Sequence, residues 1–222
     1  MNLAKKLLKS TIFALASLGA LFVMVLVVNG QLRFNFLEIF SHYACKVVGA
    51  KVVVVGDSIA AGGRHWDGEI GLFPLQTRNL AGNGYTISQV AGQLSDAKKY
   101  NPEWIVVFGG TNDAFQLPQG RTSLERIQED LEKLLDAAAP IPVLYVLPPP
   151  TEFADINGTL DLVRGEIVAV LKERNVPFID TVGLLGNDQR LLKSDYSSDG
   201  VHLEQVAYNL LGGKIREIVS RQ

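Results

Sequence analysis

The chain has 222 residues, 47% of them apolar and 20% charged, and a formal net charge of −2. Residues 1–30 hold Lys5, Lys6 and Lys9 and no acid, which leaves 192 residues with 18 basic and 23 acidic side chains. That remainder is the size of one domain with a core that needs no staples; its mildly acidic balance argues against a nucleic-acid partner, and a single cysteine, Cys45, excludes an internal disulfide or a cysteine-rich metal site.

Along the chain, the three lysines precede an uncharged run from Thr11 to Val28. Eighteen residues make a helix of about 27 Å at 1.5 Å per residue, at the lower edge of a bilayer span. The lysines should stay on the cytoplasmic side and leave the following domain outside. Residues 1–30 therefore read as an uncleaved signal-anchor, or alternatively as a secretory signal peptide, whose apolar core is usually shorter. Residues 31–48 read as a juxtamembrane linker rich in Leu and Phe, with Cys45 as an inert thiol near the start of the domain. Residues 49–222 read as that domain.

Within it, Lys51–Gly56, Trp104–Phe108, Val143–Leu147 and Val176–Asp180 are short apolar runs that end in Gly, Pro or Asp. They predict buried parallel strands, with a weaker strand near Thr77–Leu80. Helical spacing appears at Ile87–Lys99, at Leu124/Ile127/Leu131/Leu134/Leu135, at Leu162/Val163/Ile167/Val170/Leu171 and at Val206/Leu210/Leu211/Ile215/Ile218/Val219. Strands alternating with helices predict a parallel sheet covered on both faces. Ligands of such sheets bind beyond the carboxyl ends of the strands.

Polar signatures fall at those ends. Gly56-Asp57-Ser58 follows the first strand. It reads as a helix N-cap or as a serine nucleophile aided by free backbone N–H groups. Asn79-Leu80-Ala81-Gly82-Asn83-Gly84-Tyr85-Thr86 reads as a turn or as a loop whose glycines let a ligand approach. Gly109-Gly110-Thr111-Asn112-Asp113 offers an Asn amide to a developing oxyanion, or an Asx turn. Asp199-Gly200-Val201-His202 precedes the last helix and pairs an imidazole base with a carboxylate. His42 and His65 are the other histidines. Asn157-Gly158-Thr159 also fits a glycosylation sequon.

In that order the four blocks resemble the SGNH (GDSL-type) hydrolases, named for Ser, Gly, Asn and His. Ser58, Gly84, Asn112 and the pair Asp199/His202 match, with Gly82 as the other register for the glycine. Tyr85 stands where the family often has Asp, and the Gly-x-Ser-x-Gly elbow of other hydrolases is absent. The resemblance spans about residues 50–220. It implies a three-layer α/β/α sandwich with a flavodoxin-like, mostly parallel five-stranded sheet and serine-dependent ester hydrolysis. Ser58, Asp199 and His202 would be catalytic, and Ser58, Gly84 and Asn112 would form the oxyanion hole. No metal or cofactor is expected.

The loop from Ala60 to Gln76 should overhang Ser58, and Phe115, Leu117 and Pro148–Pro150 should line the opposite rim. Location and resemblance point to an extracytoplasmic O-acetylated glycan or lipid ester, with membrane contact through the N-terminal segment. The oligomeric state is not encoded in any recognisable pattern. An acyltransferase using the same serine, and a non-catalytic envelope binding module, stand as alternatives.

Overall fold

The computed structural model describes residues 45–46, 49–62 and 76–220. The N-terminal anchor or signal segment, most of the linker, and positions 63–75 of the overhanging loop lie outside the described residues. Among the described residues, no helix is long and apolar enough to cross a membrane.

Among the described residues, five strands form one sheet: β1 Val52–Val55, β2 Thr77–Asn79, β3 Trp104–Phe108, β4 Val143–Val146 and β5 Phe178–Ile179. All neighbours pair in parallel, in the order β2-β1-β3-β4-β5. The β-branched runs of β1, β3 and β4 are buried from end to end, as a sheet covered on both faces requires. Alternation sorts their side chains into two cores. Val53, Val55, Ile105, Val107, Val143 and Tyr145 face one layer, and Val52, Val54, Val106, Phe108, Leu144 and Val146 face the other.

Helices α1 Ser58–Ala61, α2 Ile87–Lys98, α3 Thr111–Gln116, α4 Leu124–Ala138, α5 Ala154–Glu173, α6 Thr181–Leu185 and α7 Gln205–Val219 complete the sandwich. The first layer takes Ile87, Val90 and Leu94 of α2, Ile127, Leu131 and Leu134 of α4, and Leu160, Val163 and Ile167 of α5. The second takes Ile59, Leu185, Ala207, Tyr208, Leu211 and Ile215. Truncating a fully buried leucine such as Leu134 to alanine costs about 2–5 kcal/mol.

The expected three-layer architecture is thus the observed one, with a wholly parallel sheet. Three apolar positions differ from the expected helix faces. Leu162, Val206 and Leu210 are exposed, while Leu160 and Tyr208 are buried. At about 100° per residue, Leu162 falls opposite the stripe set by Leu160, Val163 and Ile167. Val206 and Leu210 likewise lie off the Ala207/Leu211/Ile215 face. Cys45 is fully buried in the first core.

Register places the chemistry. Val55 pairs with Val107, and Phe108 with Val146. The residues after β1, β3 and β4 therefore leave the sheet along one edge. The chain runs from β1 outward to β2 and returns across β1 to β3, so the strand order reverses beside β1, where crevices open in such sheets.

Candidate active site

The first turn is built on Gly56. A Cβ there would lie 2.8 Å from the Phe108 Cβ and carbonyl oxygen and 2.9 Å from the Ala60 Cβ. Only glycine lets β1 pass into α1 this tightly against β3. Asp57 then caps α1, its Oδ1 accepting from the Ile59 N–H at 2.9 Å. Capping is therefore the task of Asp57, and Ser58 is left as the first helical residue with its hydroxyl turned elsewhere.

That hydroxyl meets His202: Ser58 Oγ lies 3.2 Å from His202 Nε2. His202 Nδ1 lies 2.7 Å from Asp199 Oδ2. A carboxylate accepts only, so Nδ1 carries the proton and Nε2 presents its lone pair to the Ser58 O–H. The Asp-x-x-His spacing has a local cause. Asp199 Oδ1 accepts from the backbone N–H of Val201 at 2.9 Å and of His202 at 2.7 Å, so one carboxyl grips both the main chain and the ring of the same histidine. Gly200 between them has φ +79°, and a Cβ on it would meet the Phe153 ring at 2.8 Å. The His202 side chain and backbone N–H, followed by the Val201 N–H, hold the Asp199 carboxyl well below the usual carboxylate range. The His202 and Asp199 side chains are 51% and 53% exposed, which leaves the pair open to water.

Sequence reasoning missed Ser197. It closes the loop that carries this pair: its hydroxyl donates to the His202 carbonyl at 2.7 Å and lies 3.2 Å from Asp199 Oδ1, and its backbone bridges to Leu203. A serine two residues before an Asp carries no signal that separates it from a surface serine.

The second and third blocks meet each other. Gly82 donates its N–H to the Gly56 carbonyl at 2.9 Å, so that group is engaged. Gly84 has φ +76° with open space around it, and its N–H has no partner among the described residues. Of the two registers, Gly84 is the one with a free donor. Asn112 sits in the first turn of α3, where one Nδ2 hydrogen goes to the Tyr85 carbonyl at 3.0 Å, and the other is left for a ligand. Asn79 ties β2 to α1 through Nδ2 to the Ala60 carbonyl at 2.8 Å.

Beneath this surface lie two acids. Asp57 is fully buried, and desolvation pushes its carboxyl up to about 6. Asp113 is also buried and pushed up to about 6, first by desolvation, with the nearby Asp57 charge adding to it. Asp113 Oδ2 accepts from the Ile87 N–H at 3.0 Å. Asp57 Oδ2 has no hydrogen-bond partner among the described residues.

Pro148–Pro150, expected at the rim, are buried instead. The Arg164 guanidinium holds the Pro148 and Pro149 carbonyls at 2.7 and 2.8 Å, and the Thr181 hydroxyl also donates to Pro148. The stretch is scaffold because its carbonyls satisfy a buried cation. Phe153, just beyond it, is an exposed aromatic. Asn157 of the sequon is buried in α5, with its amide bonded to both the N–H and the carbonyl of Thr151. It is not accessible to a glycosylating enzyme in the folded protein. Among the described residues, no group of His, Cys, Asp and Glu side chains is arranged to hold a metal ion.

A parallel α/β sandwich with Ser, His and Asp in one hydrogen-bonded chain at its carboxyl edge defines the class as a serine-hydrolase-like fold. The chain belongs to the GDSL-like Lipase/Acylhydrolase family, whose family model matches residues 54–210. No match was found among curated protein sequences. Solved structures of the same fold include a lipase/acylhydrolase from Enterococcus faecalis, at 24% identity and TM-score 0.66, covering 78% of this chain and 96% of the other. A GDSL-like lipase from Bacteroides thetaiotaomicron aligns at 20% identity and TM-score 0.65, covering 83% and 98%. A catalytic mutant of an acetylxylan esterase from Geobacillus stearothermophilus aligns at 18% identity and TM-score 0.62, covering 78% and 95%.

Proposed function

We propose that the protein hydrolyses carboxylic esters through an acyl-enzyme on Ser58. The observation that carries this reading is the unbroken chain from Ser58 Oγ through His202 to Asp199, at 3.2 and 2.7 Å. His202 Nε2 takes the hydroxyl proton as Ser58 Oγ attacks the ester carbonyl. The negative charge on the former carbonyl oxygen is met by the Ser58 and Gly84 N–H groups and the Asn112 amide. The imidazolium then protonates the departing alkoxide as the C–O bond breaks. Water, deprotonated by the same Nε2, attacks the acyl-enzyme, and Ser58 recovers its proton as the acid leaves.

The substrate we propose is extracytoplasmic, an O-acetylated glycan or a lipid ester. Lys5, Lys6 and Lys9 before the uncharged run Thr11–Val28 support a membrane-proximal, outward-facing site. The acetylxylan esterase among the proteins of similar fold supports the glycan. A panel of acetylated glycans, lysophospholipids and chromogenic acetyl esters tests this, run with wild type and Ser58→Ala. Release of acid from at least one class by wild type alone is expected. Inactivity on all three classes would refute the proposal.

A further inference from the structure

Gly56 is the last residue before the serine turn and lies beyond both strand ladders, which stop at Val54–Asn79 and Val55–Val107. It is buried, so its backbone groups need partners that the sheet no longer supplies. Its carbonyl receives the Gly82 N–H at 2.9 Å. Its N–H finds Gln93 Oε1 at 2.8 Å, and Gln93 Nε2 returns to the Gly56 carbonyl at 3.2 Å. One side chain, from the second turn of α2, thus imitates a neighbouring strand.

The same helix grips the other two donor segments. Its N-cap residue, Thr86, follows Gly84 and Tyr85 directly. Its first N–H, on Ile87, is held by Asp113 Oδ2 at 3.0 Å, while the adjacent Asn112 donates to the Tyr85 carbonyl at 3.0 Å. Ile87 and Gln93 are six residues apart, or about 9 Å of helix. We propose, resting on the esterase reading above, that α2 gauges the oxyanion hole, with Gln93 as the positioning residue that fixes the Gly56-Asp57-Ser58 turn against the Gly84–Asn112 side. Gln93 touches no reacting atom. It acts by keeping the Ser58 N–H and Oγ in register with donors anchored to the other end of its own helix.

The test is Gln93→Leu, similar in volume with neither bond, beside Gln93→Glu, which keeps an acceptor for the Gly56 N–H and loses the donor. 4-Nitrophenyl acetate is the substrate, and phenylboronic acid, which forms a tetrahedral adduct with an active serine, reports the oxyanion geometry. A small displacement of reacting groups costs about 10²-fold. Gln93→Leu should lower kcat about 10–100-fold with KM within about twofold, and boronate affinity should fall in parallel. Gln93→Glu, which sets a carboxylate oxygen against the Gly56 carbonyl in place of the amide donor, should also lower kcat at least about tenfold. Leu134→Ala, in the core between α4 and the sheet, should lower Tm with kcat unchanged.

Several results overturn the inference. One is kcat within twofold of wild type in either Gln93 variant while Ser58-dependent hydrolysis persists. Another is a loss confined to KM, and a third is an equal kcat loss in Leu134→Ala. If Gln93→Leu does not fold, Gln93→Glu decides by the same criterion. Wild type without Ser58-dependent hydrolysis would overturn the esterase reading, and this inference with it.

Discussion

Asp57→Asn isolates the cost of the buried acid under Ser58. The substitution keeps Oδ1, and with it the 2.9 Å cap bond from the Ile59 N–H, and removes a carboxyl that desolvation pushes from 3.8 to about 6. The folded state therefore holds this proton more tightly than the unfolded chain. The group's contribution to stability is full below pH 3.8 and is lost as pH rises through about 6. Two pH units at about 1.4 kcal/mol each make the loss about 3 kcal/mol. Asp113, pushed up partly by the Asp57 charge, relaxes in the variant and adds to the same sign. Urea unfolding of both proteins at pH 4 and pH 7 reads the effect. Whatever the offset at pH 4, where part of the contribution is already lost, the stability of Asp57→Asn relative to wild type should rise by about 2 kcal/mol by pH 7. A difference that stays flat with pH would show that Asp57 titrates as an ordinary carboxylate, and the reasoning from burial would fail.

Gly56→Ala forces a Cβ to 2.8 Å from Phe108 and should cost at least about 1–3 kcal/mol, seen as a lower Tm; an unchanged Tm would mean the turn is looser than described. Asn112→Ala should reduce turnover about 10²–10³-fold as an oxyanion donor is lost, measured as kcat on 4-nitrophenyl acetate. Asp199→Asn keeps an acceptor for the Val201 and His202 N–H groups and sits at the surface, so Tm should hold. Its kcat should drop by up to about 10⁴-fold because the imidazole tautomer is no longer fixed.

The strands and the order of the blocks were readable because burial on both faces writes itself as β-branched runs, and because Gly, Pro or Asp stops each run where the sheet ends. Val52–Val55 and Trp104–Phe108 are such cases. Parallel pairing then carried Ser58 and Asn112 to one edge. What stayed hidden were side chains that serve backbone groups far along the chain. Gln93 bonds a residue 37 positions away, and Asp113 one 26 away. Neither has a local spacing that marks its partner. Pro148–Pro150 looked like a rim because prolines follow a strand, yet a buried Arg164 sixteen residues on from Pro148 makes them interior. The exposed Leu162, Val206 and Leu210 show the limit of reading a helix face from apolar residues alone, since leucines on the solvent side follow no periodic rule.

The proposed acyl-enzyme chemistry requires Ser58 to be an activated nucleophile. Labelling with a fluorophosphonate, followed by peptide mass mapping, tests that directly, with wild type compared against Ser58→Ala and His202→Ala. One adduct per chain is predicted, on the peptide containing Ser58, absent in Ser58→Ala and greatly slowed in His202→Ala. An adduct on another residue, or labelling that persists in Ser58→Ala, would contradict it.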